Sequence, residues 1–102
     1  MTALPPILLH APTLDALARA RNSFMNIQES TPERRIRIIA NAHAVAAALD
    51  MPHEQADACT FLCPNTLQHL QRTPHMPLQM LAGPAILEIA ALQTKGWIYV
   101  RA

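Results

Sequence analysis

Charged residues are scarce in this chain of 102 residues. Asp, Glu, Lys and Arg make up 15% of it, against about 25% in typical soluble domains, whereas 51% of the residues are hydrophobic. This balance excludes an intrinsically disordered chain, which needs low hydrophobicity and a high net charge. It predicts more apolar surface than one core uses, and therefore association with other copies of the chain.

Glycine is also rare, with two residues in the whole chain. The chain therefore cannot form a G-x-G-x-x-G turn or a P-loop, which excludes nucleotide binding of that kind. No serine occupies a nucleophile elbow, and the carboxylates fall in predicted helices or loops, which disfavours a paired-carboxylate hydrolase. No apolar run approaches the ~18–20 residues of a membrane span, and the N-terminus lacks the features of a signal peptide.

No charge of either sign dominates. Eight Lys and Arg stand against seven Asp and Glu, a formal net charge of +1, which disfavours a nucleic-acid binder. Arg34, Arg35 and Arg37 form the one basic cluster, with Glu29 and Glu33 beside it. We expect this cluster to be a solvated entrance to a strand.

The two cysteines, Cys59 and Cys63, are too few for a disulfide framework. We therefore expect a cytoplasmic protein with reduced thiols. None of the five histidines stands at a tight ligand spacing from another histidine or a cysteine, so we expect no metal and no cofactor. These histidines are His10, His43, His53, His69 and His75.

Short apolar runs alternate with helical patterns along the whole chain. The predicted strands are residues 7–10, 35–40, 58–63, 78–82 and 97–100, and the predicted helices are 14–27, 42–49, 64–70 and 86–92. In the first helix Leu14, Leu17, Ala18, Ala20, Phe24 and Ile27 form the apolar stripe, behind a Thr13 N-cap. The alternation predicts one α/β domain over residues 1–102, with a parallel sheet between layers of helices.

Ligands of open α/β sheets bind beyond the carboxyl ends of the strands. The residues that the pattern places there are His10, Asn41, His43, Cys63, Asn65, Thr66 and Gly83. Cys63 stands where a strand gives way to a helix, and a helix N-terminus favours the thiolate. It is therefore either a reactive thiolate, with His10 or His43 as a nearby base, or a small buried apolar residue. Cys59 is predicted to lie inside the same strand, in the core.

The motif around Cys63 resembles a known family. Residues 61–67, Phe-Leu-Cys-Pro-Asn-Thr-Leu, resemble the hydrophobic-Cys-x-Asn-Thr-Leu signature of DsrE/DsrF-like proteins. The ending at residues 83–101 also resembles that family, with a helix, Leu-Gln-x-x-Gly and an aromatic terminal strand, and the runs 7–10 and 38–41 fall where its first two strands belong. Asn41-Ala42-His43 stands where the family often has Asn-Gly, and Pro64 directly follows the cysteine.

The resemblance implies a three-layer α/β/α fold with a five-stranded parallel sheet in the order 4-3-2-1-5. It implies homo- or hetero-oligomers, commonly dimers, trimers or hexamers. In the sulfur-relay members, of the DsrE and TusD types, a cysteine after the third strand carries a persulfide between donor and acceptor proteins. Cys63 matches that position.

Three functions follow as hypotheses. The first is a sulfur-relay protein that carries a persulfide on Cys63. The alternative is a non-enzymatic oligomeric binding or regulatory module of the same fold, in which Cys63 only lines a site for a small ligand or a protein segment. A Cys/His acyl transferase would require His10 or His43 within hydrogen-bond reach of Cys63.

Overall fold

Strands and helices alternate along the part of the chain that the structure, a computed structural model, describes, residues 4–102. The strands are β1 Ile7–Ala11, β2 Ile36–Ala40, β3 Thr60–Leu62, β4 Gln79–Met80 and β5 Ile98–Arg101. The helices are α1 Leu14–Ser30, α2 His43–Asp50, α3 Pro64–Leu70 and α4 Ala85–Thr94, with a 3-10 helix Asp57–Cys59 before β3. Residues 1–3, which the predicted domain includes, lie outside the described residues.

The five strands form one sheet in the order β4-β3-β2-β1-β5, and every neighbouring pair is parallel. This confirms the predicted α/β fold and its strand order. Each strand returns to the same edge of the sheet through a helical crossover, which parallel pairing requires. All carboxyl ends of the strands therefore meet at one edge.

Both faces of the sheet are covered, as the continuously apolar strands predict. On one face, Leu9 and Ile38 pack with α1, α2 and α3 in the larger core. On the other face, Leu8 and Ile39 pack with Leu92 of α4 in a smaller core. Full burial of each such side chain contributes about 1.5–3 kcal/mol. The core on the α4 side of the sheet is the smaller of the two.

Helix α1 begins as predicted, because the Thr13 hydroxyl accepts a hydrogen bond from the Ala16 N–H at 3.0 Å. The predicted stripe is correct for Leu17, Ala20 and Phe24, which are buried, and wrong for Leu14 and Ala18, which are exposed. The buried face of the helix is rotated from the predicted stripe, so that Ala16 and Arg21 are inside. Arg21 is accommodated there because it pairs with Asp57. No helix among residues 4–102 is long and apolar enough to cross a membrane.

The prediction that Cys59 lies inside the third strand is wrong. The chain closes a 3-10 turn there, with the Cys59 N–H donating to the Ala56 carbonyl at 3.0 Å and the Thr60 hydroxyl donating to the same carbonyl at 2.8 Å. The strand starts only at Thr60. Cys59 itself is half-buried and packs against the larger core.

The outer strands also differ from their predicted bounds. Strand β4 has two residues where five are predicted, because it is an edge strand that pairs only with Phe61 and Leu62. Strand β5 begins one residue late, since Trp97 turns into the smaller core. The predicted solvation of the basic cluster holds for Arg35, whereas Arg34 and Arg37 are half-buried, and Arg37 lies over the Phe61 and Trp97 rings.

Candidate functional site

Three of the predicted site residues stand in a row at the carboxyl edge of the sheet. Cys63 directly follows β3, Asn41 directly follows β2, and His10 is near the end of β1. These strands are neighbours in the sheet, and neighbouring strands are about 4.7–4.9 Å apart. Tyr99 of β5 extends the row, since its hydroxyl lies 2.6 Å from Nδ1 of His10. The sequence therefore brings Cys63, Asn41 and His10 to one edge, as predicted.

Cys63 joins β3 to α3. Its N–H donates to the Ala40 carbonyl at 3.0 Å, which continues the sheet, and its own carbonyl accepts from the Leu67 N–H at 3.1 Å, which begins the helix. The side chain packs in the smaller core with Leu81 and Ala85. The residue is only 6% exposed, so the sulfur is sheltered from bulk water.

Hydrogen-bond donors from two helix starts act on the Cys63 sulfur. Burial by itself raises the pKa of this thiol, but the Thr66, Ala85 and Asn65 backbone N–H groups and the Thr66 hydroxyl outweigh it. As a result, the pKa of Cys63 is lower than the ordinary value of a cysteine thiol. Because the donors favour the charged form, this position stabilises a sulfur anion in a largely water-free site.

Two prolines leave these N–H groups available. Pro64 is the first residue of α3 and has no N–H, so Asn65 and Thr66 supply the first donors of that helix. Pro84 is the N-cap of α4, and its carbonyl accepts the N–H groups of Leu87 and Glu88 at 3.0 and 3.1 Å. The first N–H groups of a helix have no partner within it. That of Ala85 is consequently free to act on Cys63.

The residue after Asn41 has a backbone conformation that an L-residue rarely adopts. Ala42 has φ +49° and ψ −134°. The DsrE/DsrF-like proteins that the motif resembles often have glycine at this position. The turn is held on both sides, because the Asn41 N–H donates to the Ala11 carbonyl and the Asn41 carbonyl accepts from the Ala44 N–H. Strain of this kind persists where the surrounding structure fixes the backbone, and it is concentrated at functional sites.

His10 is bonded on both ring nitrogens. Nε2 lies 2.9 Å from Oδ1 of Asn41, and Nδ1 lies 2.6 Å from the Tyr99 hydroxyl. Neither nitrogen is therefore left to serve Cys63 as a base. His43 is exposed at the first residue of α2, and its side chain makes no hydrogen bond within residues 4–102. The Cys/His pair that an acyl transferase requires is not formed.

Gly83 stands next to the start of α4 but is not required as a glycine. A Cβ atom at this position would meet only Oε1 of Glu88, at an ordinary 3.7 Å. The sequence did not predict two groups of the site, the Ala85 N–H beside Cys63 and the Tyr99 hydroxyl beside His10. The Gly83-Pro84 bracket marks the helix start at Ala85, whereas the pairing of Tyr99 depends on the position of β5 beside β1.

Within residues 4–102, no group of three His, Cys, Asp or Glu side chains lies close enough to hold a metal ion. Both cysteines are free. No protein-family model and no curated protein matches this chain. The edge holds a thiol with a lowered pKa beside hydrogen-bonding groups of Asn41, Thr66 and His10.

Proposed function

We propose that this protein is a sulfur carrier that holds a persulfide on Cys63. The observation that carries the proposal is the set of donors from α3 and α4 around the Cys63 sulfur, which lowers the pKa of the thiol although the residue is buried. The thiolate is the nucleophilic form of cysteine. The resemblance of residues 61–67 to the DsrE/DsrF-like signature supports the same role.

The transfer is a pair of thiolate displacements. The Cys63 thiolate attacks the outer sulfur of a donor persulfide, the S–S bond of the donor breaks, and the donor leaves as a thiolate. Cys63 then carries the outer sulfur as a persulfide. An acceptor thiolate attacks that sulfur and restores the Cys63 thiolate, so that one sulfur atom moves and no external oxidant or reductant is used.

The row beside Cys63 would hold the outer sulfur. The Asn65 and Thr66 N–H groups lie in the first turn of α3, which starts directly after the cysteine, and Asn41 directly follows the neighbouring strand β2. Its amide nitrogen remains a donor, since its oxygen is bound to His10. Neutral donors of this kind stabilise a persulfide anion without adding a base that would compete for protons.

The partners are donor and acceptor proteins, because both the incoming and the outgoing sulfur are carried on thiols. Two free cysteines suit a reducing compartment, and we place the protein in the cytoplasm on that ground. Cys63 is 6% exposed, so a donor would present its persulfide on an extended segment or loop at the carboxyl edge of the sheet.

We also propose that the chain forms a homo-oligomer. Ile86 is 76% and Leu87 is 64% exposed on α4. Strand β5 is an edge strand, with Ile98, Tyr99 and Val100 all exposed. An uncovered apolar edge strand is a template for pairing with another chain. A second copy that covers β5 or α4 would use the apolar excess that the composition shows.

The test of the carrier function is a mass measurement on the intact protein. The protein is incubated with a cysteine desulfurase and cysteine, with Cys59→Ser as the matched control for Cys63→Ser. We expect the wild type and Cys59→Ser to gain one sulfur atom that a reductant removes, and Cys63→Ser to gain none. No gain in the wild type, or an equal gain in Cys63→Ser, contradicts the proposal.

The alternative is a small-ligand-binding module of the same fold, which the low exposure of Cys63 and the bonding of His10 to Asn41 and Tyr99 favour. In that case Cys63 lines the site without reacting. Slow alkylation of Cys63, with a pKa at or above the ordinary value, together with the absence of sulfur loading, would favour this alternative over the carrier.

A further inference from the structure

A second cleft lies at the opposite edge of the sheet from Cys63. It has a volume of about 290 Å³ and is lined by residues at the amino ends of β2 and β3, by Gln28 of α1 and by Trp97 before β5. All three arginines of the basic cluster, Arg34, Arg35 and Arg37, line this cleft. Carrier chemistry at the carboxyl edge makes no use of this cleft.

Aromatic rings hold two of the three guanidinium groups. The Arg37 guanidinium carbon lies 4.8 Å from the centre of the Phe61 ring and 5.1 Å from that of Trp97. The Arg35 guanidinium carbon lies 5.3 Å from the centre of the same Trp97 ring. Contact with a ring face orients the guanidinium group and leaves its N–H edge free to bind an anion.

The arginines of the cleft form no ion pair with a carboxylate in the part of the chain that the structure describes. Within residues 4–102, the ion pairs are Arg21 with Asp57 and Arg72 with Asp50, so no carboxylate lies within ion-pair distance of the three arginines. Arg34 donates one hydrogen bond, from Nε to the Pro5 carbonyl at 2.8 Å. Burial raises the pKa of the Cys59 thiol, which also lines the cleft and therefore adds no negative charge at neutral pH.

We propose that this cleft binds a phosphate group, either as a free inorganic ion or on a small molecule. Planar guanidinium groups match the oxygens of a phosphate in a bidentate arrangement, and three of them around one cleft match a multiply charged anion. The volume is at the lower end of the range for small-molecule sites, about 300–1,000 Å³. The cleft therefore fits inorganic phosphate, pyrophosphate or a short phosphate monoester, and the balanced net charge of the chain argues against a nucleic acid.

The chain provides its own reporter for this site. Trp97 is the one tryptophan of the sequence and lines the cleft. Inorganic phosphate, pyrophosphate and glycerol 3-phosphate are titrated separately at constant ionic strength, with the fluorescence of Trp97 as the readout. Succinate serves as the anion without phosphorus. The titrations use the full-length Cys63→Ser protein, so that their outcome is independent of sulfur chemistry at the other edge.

Variants assign the binding to the cleft. Arg35→Gln removes an exposed guanidinium group, and Arg37→Lys keeps the charge but loses the planar fork. Arg19→Gln is the control, because it removes the same charge from the surface of α1, where Arg19 contacts the Ala102 carbonyl. We expect saturable binding of at least one phosphate probe, weakened at least about tenfold in Arg35→Gln and Arg37→Lys, as for the loss of one charge-assisted hydrogen bond.

The separate titrations show whether the cleft binds free inorganic phosphate or a phosphate monoester. Saturation by inorganic phosphate alone assigns the cleft to the free ion, and tighter binding of glycerol 3-phosphate assigns it to a monoester. The proposal is overturned if no phosphate probe saturates, if succinate binds as tightly as the phosphates, or if Arg19→Gln weakens binding as much as Arg35→Gln.

Discussion

Oδ1 of Asn41 lies 2.9 Å from Nε2 of His10. A carboxamide oxygen only accepts hydrogen bonds, so in neutral His10 the ring proton is on Nε2. Nδ1 then accepts a hydrogen bond that the Tyr99 hydroxyl donates, with the two atoms 2.6 Å apart. This chain of bonds fixes the Asn41 side chain, and its amide nitrogen is left as a donor at the strand end next to Cys63.

The first prediction concerns the tautomer of His10. Nitrogen NMR should show the Nε2–H form in neutral His10, because both neighbours select it. Tyr99→Phe removes the donor to Nδ1 and should lower the free energy of unfolding by about 0.5–1 kcal/mol, the net value of one hydrogen bond that is partly exposed. A majority of the Nδ1–H form in the wild type would show that the Asn41 amide has the opposite orientation.

The second prediction concerns the pH dependence of the two thiols. In Cys59→Ser, alkylation of Cys63 should reach half its maximal rate at a lower pH than alkylation of Cys59 does in Cys63→Ser. The reason is that hydrogen bonds lower the pKa of Cys63 whereas burial raises that of Cys59. Thr66→Val removes one hydroxyl donor and should shift the Cys63 midpoint upwards.

The same shift links pH to stability. Because the folded-state pKa of Cys63 is below its unfolded value, the thiolate adds stability that is fully present above the unfolded pKa and is lost as the pH falls through the folded pKa. Thr66→Val and Cys63→Ser should both make the free energy of unfolding depend less on pH. Denaturation curves measured between the folded-state and the unfolded-state pKa of Cys63 test this. An unchanged curve and an unchanged alkylation midpoint in Thr66→Val would contradict the role of the Thr66 hydroxyl.

The third prediction concerns the buried ion pair between Arg21 and Asp57. The two side chains are 3.2 Å apart, Asp57 is 1% exposed, and its second oxygen accepts the His53 N–H at 2.9 Å. Asp57→Ala leaves Arg21 charged and unpaired, so it should lower the free energy of unfolding by about 3–5 kcal/mol. The double variant Arg21→Met/Asp57→Leu should be more stable than Asp57→Ala alone. Urea denaturation measures both, and equal values would contradict the pairing.

The fourth prediction concerns the strained residue after β2. Ala42 has φ +49°, and such a conformation costs an L-residue about 1–3 kcal/mol, more than the about 0.5–1 kcal/mol that glycine loses in chain entropy. Ala42→Gly should therefore raise the free energy of unfolding by about 1 kcal/mol. Ala46→Gly, inside α2, is the control and should lower it by about 1 kcal/mol. Destabilisation by both variants would contradict the strain.

The fifth prediction concerns association. Leu87→Lys places a charge on an exposed apolar position of α4 and should convert an oligomer to a smaller species in light scattering, without changing the unfolding of the isolated chain. Gln93→Lys on the same helix, also exposed, is the control and should leave the mass unchanged. A wild-type protein of monomer mass at micromolar concentration would contradict the proposed homo-oligomer.

Local sequence was sufficient for most of the elements. Thr13 caps α1, Pro64 opens α3, and Gly96 follows α4 with φ +92°, each as its local chemistry predicts. The third strand is the exception. Residues 58 and 59 have a β-prone pattern, but the Ala56 carbonyl accepts both the Cys59 N–H and the Thr60 hydroxyl, and the chain turns instead.

The candidate site was predicted only in part, because its contacts join residues far apart in sequence. The sequence placed Cys63, Asn41 and His10 at one edge, since strand ends of a parallel sheet meet there. It did not show that Tyr99, 89 positions from His10, would occupy the ring nitrogen that a base at Cys63 requires. Nor did it show that α4 would bring the Ala85 N–H to the sulfur.

The scarcity of charge by itself determined a chain with a large apolar core and an uncovered apolar surface. The alternation of strands and helices determined the parallel sheet, because each helix provides a crossover between parallel strands. The continuous apolar runs determined that these strands are buried on both faces. Only the tertiary structure decided how the few polar groups are used. It gathered two helix starts around Cys63, and it brought three arginines to one cleft, two of them against aromatic rings and none of them in an ion pair with a carboxylate of residues 4–102, because both arrangements depend on which distant elements pack together.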